Sequence, residues 1–380
     1  MKNPFVTNGY AGAEYFCDRE EETATLRSLL ANENNVALIS LRRLGKTELI
    51  HHVFDCREFQ SSYHCFLVDV YSTRSLSDFV NILGKAVLDE LKPKGRAVWE
   101  RFVSAITSIR SEISFDMNGI PAWSVGLGEL RNPSLTLDEI FSYLQNADRP
   151  CIMAIDEFQQ VTKYDDPSVE ATLRTYVQRT TNAHFIFSGS QRHLMDGIFT
   201  SPSRPFYQSV TIMNLQPLSL DKYTVFSLEK FKEHGRTLEP EVVSDLYMRF
   251  DAITSYMHRV LNVLFSRTDP GCGCTADMVD DAVDFIVRLS SDTYESLLYQ
   301  MPAKQRSVFL ALASEGKVRE VTGSTFVRRH GLVSASSVAS AVKGLLDKDF
   351  ITNDRGEYAV YDKFFALWLK GKGLLHRPPI

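Results

Sequence analysis

Val36-Ala-Leu-Ile-Ser-Leu-Arg-Arg-Leu-Gly-Lys-Thr-Glu-Leu-Ile-His-His-Val53 is the stretch on which the reading of the fold turns. Its first four residues are an apolar run of the length expected for a buried strand, and a glycine-bearing turn leads into an apparent helix start. Ser40 to Thr47 fit the pattern G-x-x-x-x-G-K-[ST] at every specified position but the first, where serine replaces glycine. A loop of this kind points its backbone N–H groups inward and closes on a helix N-terminus, which makes it an anion site. Gly45 lets the backbone approach a phosphate, Lys46 neutralises β- and γ-phosphates, and the Thr47 hydroxyl is placed to ligate Mg²⁺. A side chain at the tight first position, Ser40, is expected to disturb the cradle or slow any reaction there.

A second apolar run, Pro150-Cys-Ile-Met-Ala-Ile-Asp-Glu-Phe158, ends in adjacent carboxylates. Alone that is a weak signal, since many strands stop at solvated charges. Its position 110 residues after Lys46, with strand and helix patterns between, makes the pair informative. Asp156 is then the carboxylate that supports a Mg²⁺ shell, and Glu157 the one that polarises an attacking water.

The chain has 380 residues, 44% of them hydrophobic, and a net charge of −5, which suits a protein with two or three cores. No apolar stretch approaches the roughly 20 residues of a membrane helix, and the first ten residues lack the apolar centre of a signal peptide. Cys17, Cys56, Cys65, Cys151, Cys272 and Cys274 are scattered, several within core-like runs, which reads as reduced thiols rather than a disulfide framework. The cytoplasm is the expected compartment, with no membrane partner.

Three regions separate along the chain. Residues 1–215 alternate strand and helix patterns, the signature of an α/β nucleotide-binding core. Within it, Asp18 followed by Glu21 reads as a helix cap. Cys65–Val70 and Ala183–Ser188 read as further strands, and Asn118-Gly119 as the turn of an inserted hairpin. Residues 216–290 read as all-helical, with Pro240 near a helix start. In residues 291–380, helices are expected over Ala303–Ala313, Ser324–His330 and Ser334–Leu346, the last capped by Ser334, followed by a hairpin turning at Asp354-Arg-Gly356. Three helices and a hairpin make a winged helix-turn-helix, with the third helix as the recognition helix. This region holds 13 Lys/Arg against 9 Asp/Glu, a net +4, which leaves −9 for the rest of the chain. The asymmetry favours phosphate contact. Yet Ser336, Ser337, Ser340 and Lys343 offer few long side chains for reading base edges, so DNA and protein both stand as partners of the winged helix.

Taken together, Phe16-Cys-Asp-Arg-Glu-Glu-Glu22, Arg42-Arg-Leu-Gly-Lys-Thr47, Asp156-Glu-Phe-Gln159, Phe187-Ser-Gly-Ser190 and Asn214-Leu-Gln-Pro-Leu-Ser219 resemble the archaeal-type ATPases. These are a branch of the AAA+ and STAND P-loop NTPases, and the similarity covers nearly the whole chain. The resemblance implies a parallel-sheet core, an all-helical lid and a C-terminal winged helix, with ATP and Mg²⁺ between core and lid. It implies nucleotide contacts from Ser40, Leu41, Arg42, Arg43, Leu44, Gly45, Lys46, Thr47 and Glu48, with Phe16 and Arg19 beside the base and Ser190 sensing the γ-phosphate. Arg204, in a proline-flanked loop, takes the place of an arginine finger that reaches a neighbour's nucleotide in a homo-oligomer. Relatives often carry a Gly-His-Pro-like element in the lid; this chain has Phe250–Arg259 without glycine or proline, leaving His258 and Arg259 as the residues to consider. The expected function is an ATP-hydrolysing switch whose nucleotide state repositions lid and winged helix. The alternative is a nucleotide-stabilised DNA-binding or scaffolding protein with negligible turnover.

Overall fold

A computed structural model describes residues 2–108, 113–115, 121–123 and 130–375. The chain forms two compact units, Asn8–Gln216 and a second made of Met1–Thr7 with Pro217–Ile380.

The first unit is built on strands β1 (Val36–Ile39), β2 (His64–Asp69), β3 (Ile113–Phe115), β4 (Pro121–Trp123), β5 (Cys151–Asp156), β6 (Ala183–Gly189) and β7 (Thr211–Asn214). Five of them form one parallel sheet in the order β2-β5-β6-β1-β7. Strands buried on both faces need no alternation, and β1, β5 and β6 are buried at every position. Phe66, Val68, Phe79, Leu83, Leu137, Ile140, Met153, Phe158, Phe187 and Phe206 lie in one core between this sheet and its helices. β3 and β4 pair antiparallel as the inserted hairpin requires; its expected turn, Asn118-Gly119, lies outside the described residues.

Register brings the chemistry to one edge. Asp69 pairs with Asp156, and Ile39 stands opposite both Gly189 and Asn214. The C-terminal ends of β1, β2, β5 and β6 therefore deliver Ser40, Asp69, Asp156 and Ser190 to the same rim of the sheet, the usual location for ligands in open α/β folds.

One local reading is corrected. The helix begins at Glu20 with Arg19, not Asp18, at its N-cap position, and Asp18 and Arg19 both have left-handed backbone (φ 55° and 75°). That turn sends Arg19 inward instead of extending the helix.

In the second unit, helices Leu220–Glu233, Pro240–Arg249, Thr254–Arg267 and Met278–Leu289 form the helical segment. Ser219 caps the first, accepting from Lys222 N, and Pro240 opens the second. They share a single compact unit with the winged helix. Its helices are Ala303–Glu315, Ser324–Arg329 and Ala335–Asp347, the last capped by Ser334. Two short strands, β8 (Thr237–Leu238) and β9 (Gly273–Cys274), pair in the helical segment. β10 (Lys317–Val318), β11 (Ile351–Asp354) and β12 (Glu357–Val360) form the wing sheet, in the order β10-β12-β11. Arg355 and Gly356 make its two-residue turn at positive φ, the geometry that matches strand twist. Phe364 joins helical segment and winged helix, its ring 5.2 Å from Phe250 and 5.4 Å from Tyr256.

Candidate active site

The loop between β1 and the helix Lys46–Asp55 takes its shape from two left-handed residues, Arg43 (φ 66°) and Gly45 (φ 90°). Around Gly45 the space is open; a Cβ there would meet only the Glu48 carboxylate, at 3.9 Å. The glycine is thus needed for its backbone and leaves room above it. Ser40 is fully buried and does not lie in the left-handed region. The side chain at this first position therefore strains nothing, and it finds work: its Oγ donates to Leu41 O (2.6 Å) and accepts from Lys46 Nζ (3.2 Å).

Lys46 is itself buried, its Nζ also reaching Leu41 O at 3.4 Å. Burial lowers its pKa, and the nearby carboxylates of Glu157, Asp156 and Glu48 oppose that shift. A desolvated ammonium near an open, N–H-lined loop is a strong attractor for an anion. Beside it, Thr47 Oγ1 donates to Asp156 Oδ2 at 2.6 Å. The motif's hydroxyl and the β5 carboxylate, 109 positions apart, are thus in direct contact. Two hard oxygen donors side by side suit Mg²⁺, which binds through one or two carboxylates plus phosphate and water. Among the described residues no cluster of three or more His, Cys, Asp or Glu side chains stands ready to hold a metal by itself.

Glu157 follows at the strand tip with a left-handed backbone (φ 55°), its N–H donating to Asp156 Oδ1 at 3.0 Å. This turn sends the two neighbouring carboxylates in different directions. Glu157 Oε2 accepts from Ser190 Oγ (2.8 Å) and from Gln159 Nε2. Ser190 Oγ in turn accepts from Arg42 Nε at 3.1 Å. A hydrogen-bonded chain thus runs from the phosphate loop through Arg42 and Ser190 to Glu157. Gly189 makes the approach possible: a Cβ there would overlap Gln159 Oε1 and Met195 Sδ.

Phe16 and Arg19 reach the loop from upstream. Arg19 is buried, donating Nη2 to Leu44 O (3.2 Å) and pairing with Glu22 (2.6 Å). Phe16 stacks on His52, centroids 4.3 Å apart, on the helix that follows the loop. Arg204 is not brought to this cluster. It makes an ion pair with Glu170 (2.5 Å), while Phe206, two residues on, is fully buried among Phe158, Phe187 and Phe199. Burial raises the Glu170 pKa, with Arg204 pulling the other way. The two lid residues have packing partners as well: His258 Nδ1 lies 3.2 Å from Val6 O, and Arg259 sits over the Phe364 ring.

Asp69 was missed by sequence reasoning. It stands beside Asp156 in the sheet, accepts from Tyr71 N (2.9 Å), and its pKa is raised by burial and by the charges of Asp156 and Glu157. The available signal was an apolar run ending in an acid, the same pattern that marked Asp156.

The sequence pattern described as "ATPase domain predominantly from Archaea" matches residues 16–260, and "Probable winged helix domain" matches residues 292–371. The chain belongs to the archaeal ATPase-domain family. No curated protein matches it. Among solved structures, the chain resembles the Walker-type ATPase PABY2304 of Pyrococcus abyssi, with TM-score 0.65, 17% identity, 97% of this chain and 99% of that one covered. It is also similar to the Orc2 protein of Aeropyrum pernix in ADPNP–ADP complexes (TM-score 0.57, 14% identity, 98% of each chain). The third is the Orc1 protein of Aeropyrum pernix in complex with DNA (TM-score 0.53, 13% identity, 95% of this chain and 94% of that one). At these identities the likeness is one of fold: a P-loop NTPase core, a helical segment and a C-terminal winged helix. Among the described residues no helix is long and apolar enough to cross a membrane.

Proposed function

We propose that the P-loop unit binds ATP with Mg²⁺ and hydrolyses it, and that nucleotide state alters the disposition of the C-terminal unit. The observation that carries this reading is the Thr47–Asp156 contact beside buried Lys46, because it unites the phosphate loop and the β5 carboxylate in one metal-suited corner. In this reading Ser40 to Glu48 line the phosphates, Lys46 offsets charge that grows on the β- and γ-oxygens, and Thr47 and Asp156 hold the metal. The metal supplies charge neutralisation at the transferred phosphoryl group. Glu157 orients and deprotonates water. Its hydrogen bonds from Ser190 and Gln159 hold that carboxylate in position, and Ser190 links it to Arg42 on the phosphate loop. Phe16 and Arg19 border the base, and Ser190 reads the γ-phosphate through the same chain. An Arg204 finger acting on a neighbouring copy would first have to leave Glu170.

The test is ATP turnover across protein concentrations for wild type and Glu157→Gln. We expect turnover in the variant to fall by about 10²-fold or more, with ATP affinity kept. Tight binding with negligible turnover in both would overturn the hydrolytic reading and favour a nucleotide-stabilised binder. Turnover that rises faster than protein concentration would point to a homo-oligomer and to Arg204.

For the winged helix we propose contact with DNA phosphates rather than base readout. Arg319, Arg328, Lys343 and Arg355 are exposed, whereas the outward face of helix Ala335–Asp347 is mostly Ser and Ala. Such a surface supports salt-dependent, weakly sequence-selective binding.

A further inference from the structure

The C-terminal unit is discontinuous in sequence: its first piece, Met1–Thr7, precedes the whole P-loop unit and its remainder follows it. That first piece is held as a ligand is held. Phe5 is fully buried, its ring 5.6 Å from Phe231, 5.9 Å from His258, 6.1 Å from Phe265 and 6.2 Å from Phe226. Asn3 Nδ2 donates to Asn262 O (2.8 Å) and Ser266 Oγ (3.0 Å), and Asn262 Nδ2 donates back to Phe5 O (2.8 Å). His258 Nδ1 lies 3.2 Å from Val6 O and donates to it.

The receptor side is regular. His258, Asn262 and Ser266 recur every fourth residue along helix Thr254–Arg267, so they form one polar stripe. Phe226 and Phe231 from helix Leu220–Glu233, with Phe265, make an aromatic socket beside that stripe. The bound segment is preshaped. Asn3 Oδ1 accepts from Phe5 N (3.0 Å), Val6 N donates to Pro4 O (3.1 Å), and Pro4 restricts the backbone between them. An aromatic anchor in a socket, flanked by main-chain hydrogen bonds to a polar stripe, is how short peptides are recognised.

We infer that this face is a peptide-recognition groove for a short Asn-Pro-Phe turn, filled in cis by Asn3-Pro4-Phe5. The N-terminal segment is then a detachable intramolecular ligand. It gives the chain a second connection between the units, in addition to the covalent link at Gln216–Pro217. Downstream the chain continues to Phe16 and Arg19, which touch His52 and the phosphate loop. The groove itself is independent of any ATP reading.

The experiment inserts a specific protease site between Thr7 and Asn8, both exposed, in the full chain. After cleavage, a fluorescent peptide of residues 2–7 is added and its exchange into the protein followed by anisotropy. We expect reversible uptake by the cleaved protein and none by the uncleaved one. A peptide carrying Phe5→Ala should bind at least about tenfold more weakly. A second variant, Asn262→Ala in the cleaved protein, should weaken uptake while leaving nucleotide binding at the P-loop unchanged. No uptake by a cleaved protein whose melting profile is intact would overturn the inference, as would equal uptake of the Phe5→Ala peptide.

Discussion

The rim of the parallel sheet and the outer face of helix Ala335–Asp347 are both polar, but they are polar in opposite ways. At the rim, Lys46, Thr47, Asp156, Glu157, Ser190 and Arg42 are bound to one another or to the loop backbone, so each side chain constrains the next. On the helix, Ser336, Ala339, Ser340 and Lys343 face solvent with little mutual constraint. The first surface is preorganised for one chemistry. The second presents small side chains with one cation, Lys343, among them and fixes no such geometry. A reaction site needs fixed geometry before the ligand arrives; a docking face does not.

The hardest blow to this contrast comes from Lys46→Ala. It removes the ammonium held at the loop and leaves Asp156 and Glu157 facing the incoming phosphates. We expect ATP affinity to fall by about 10²-fold or more by calorimetry, while binding of DNA by the winged helix in the absence of nucleotide is unchanged. Retained affinity would mean that the rim is not the nucleotide site.

Next comes the chain from Arg42 to Glu157. Ser190→Ala deletes its middle link and leaves Glu157 its contact with Gln159. A positioning role predicts turnover lowered by about tenfold with ATP affinity within about twofold, read as a kcat change without a matching change in KM. If KM rose instead and kcat held, Ser190 would be a ground-state binding residue only.

These residues also show what the sequence made legible. Val36–Ile39 and Cys151–Asp156 stood out because strands buried on both faces are continuously apolar, and loop and acid then follow at fixed offsets. The winged helix was readable for a similar reason: Ser334 and Arg355-Gly356 are local signals of a cap and a turn. What depended on register or distant partners was hidden. Asp69 becomes a site neighbour only once β2 lies beside β5. Arg204 looked available because nothing nearby in sequence announced Glu170. Asp followed by Glu three positions on put the N-cap at Asp18, whereas the helix starts one residue later, after two left-handed residues, with Arg19 reaching Leu44 O. Phe5 sits in a plain hexapeptide whose socket lies more than 200 residues downstream.

The helix face is tested more gently. Replacing Lys343 and Arg355 together by Ala removes two exposed cations, one on the third helix and one on the wing. We expect DNA affinity to fall several-fold at low salt and the slope of log affinity against log salt to shrink by about 1 to 2, equally for unrelated sequences. An unchanged slope would move DNA off this surface. A loss confined to one sequence would show that the face carries a code after all, which would erase its difference from the rim.

Ser40→Gly should do least, and its smallness is informative. Serine at the first position of the loop looks like a defect if the glycine pattern is read as a demand for backbone freedom. The left-handed residues are Arg43 and Gly45, not residue 40, so glycine here relieves no strain. What it removes is the Oγ that accepts from Lys46 Nζ, one of two oxygens holding that ammonium. Lys46 would then be freer to reach phosphate but less prepositioned, two effects of opposite sign. We expect ATP affinity and turnover within about twofold of wild type. A turnover rise of an order of magnitude would instead mean that Ser40 holds Lys46 back from the phosphates, making the serine a brake on the reaction rather than a tolerated substitution.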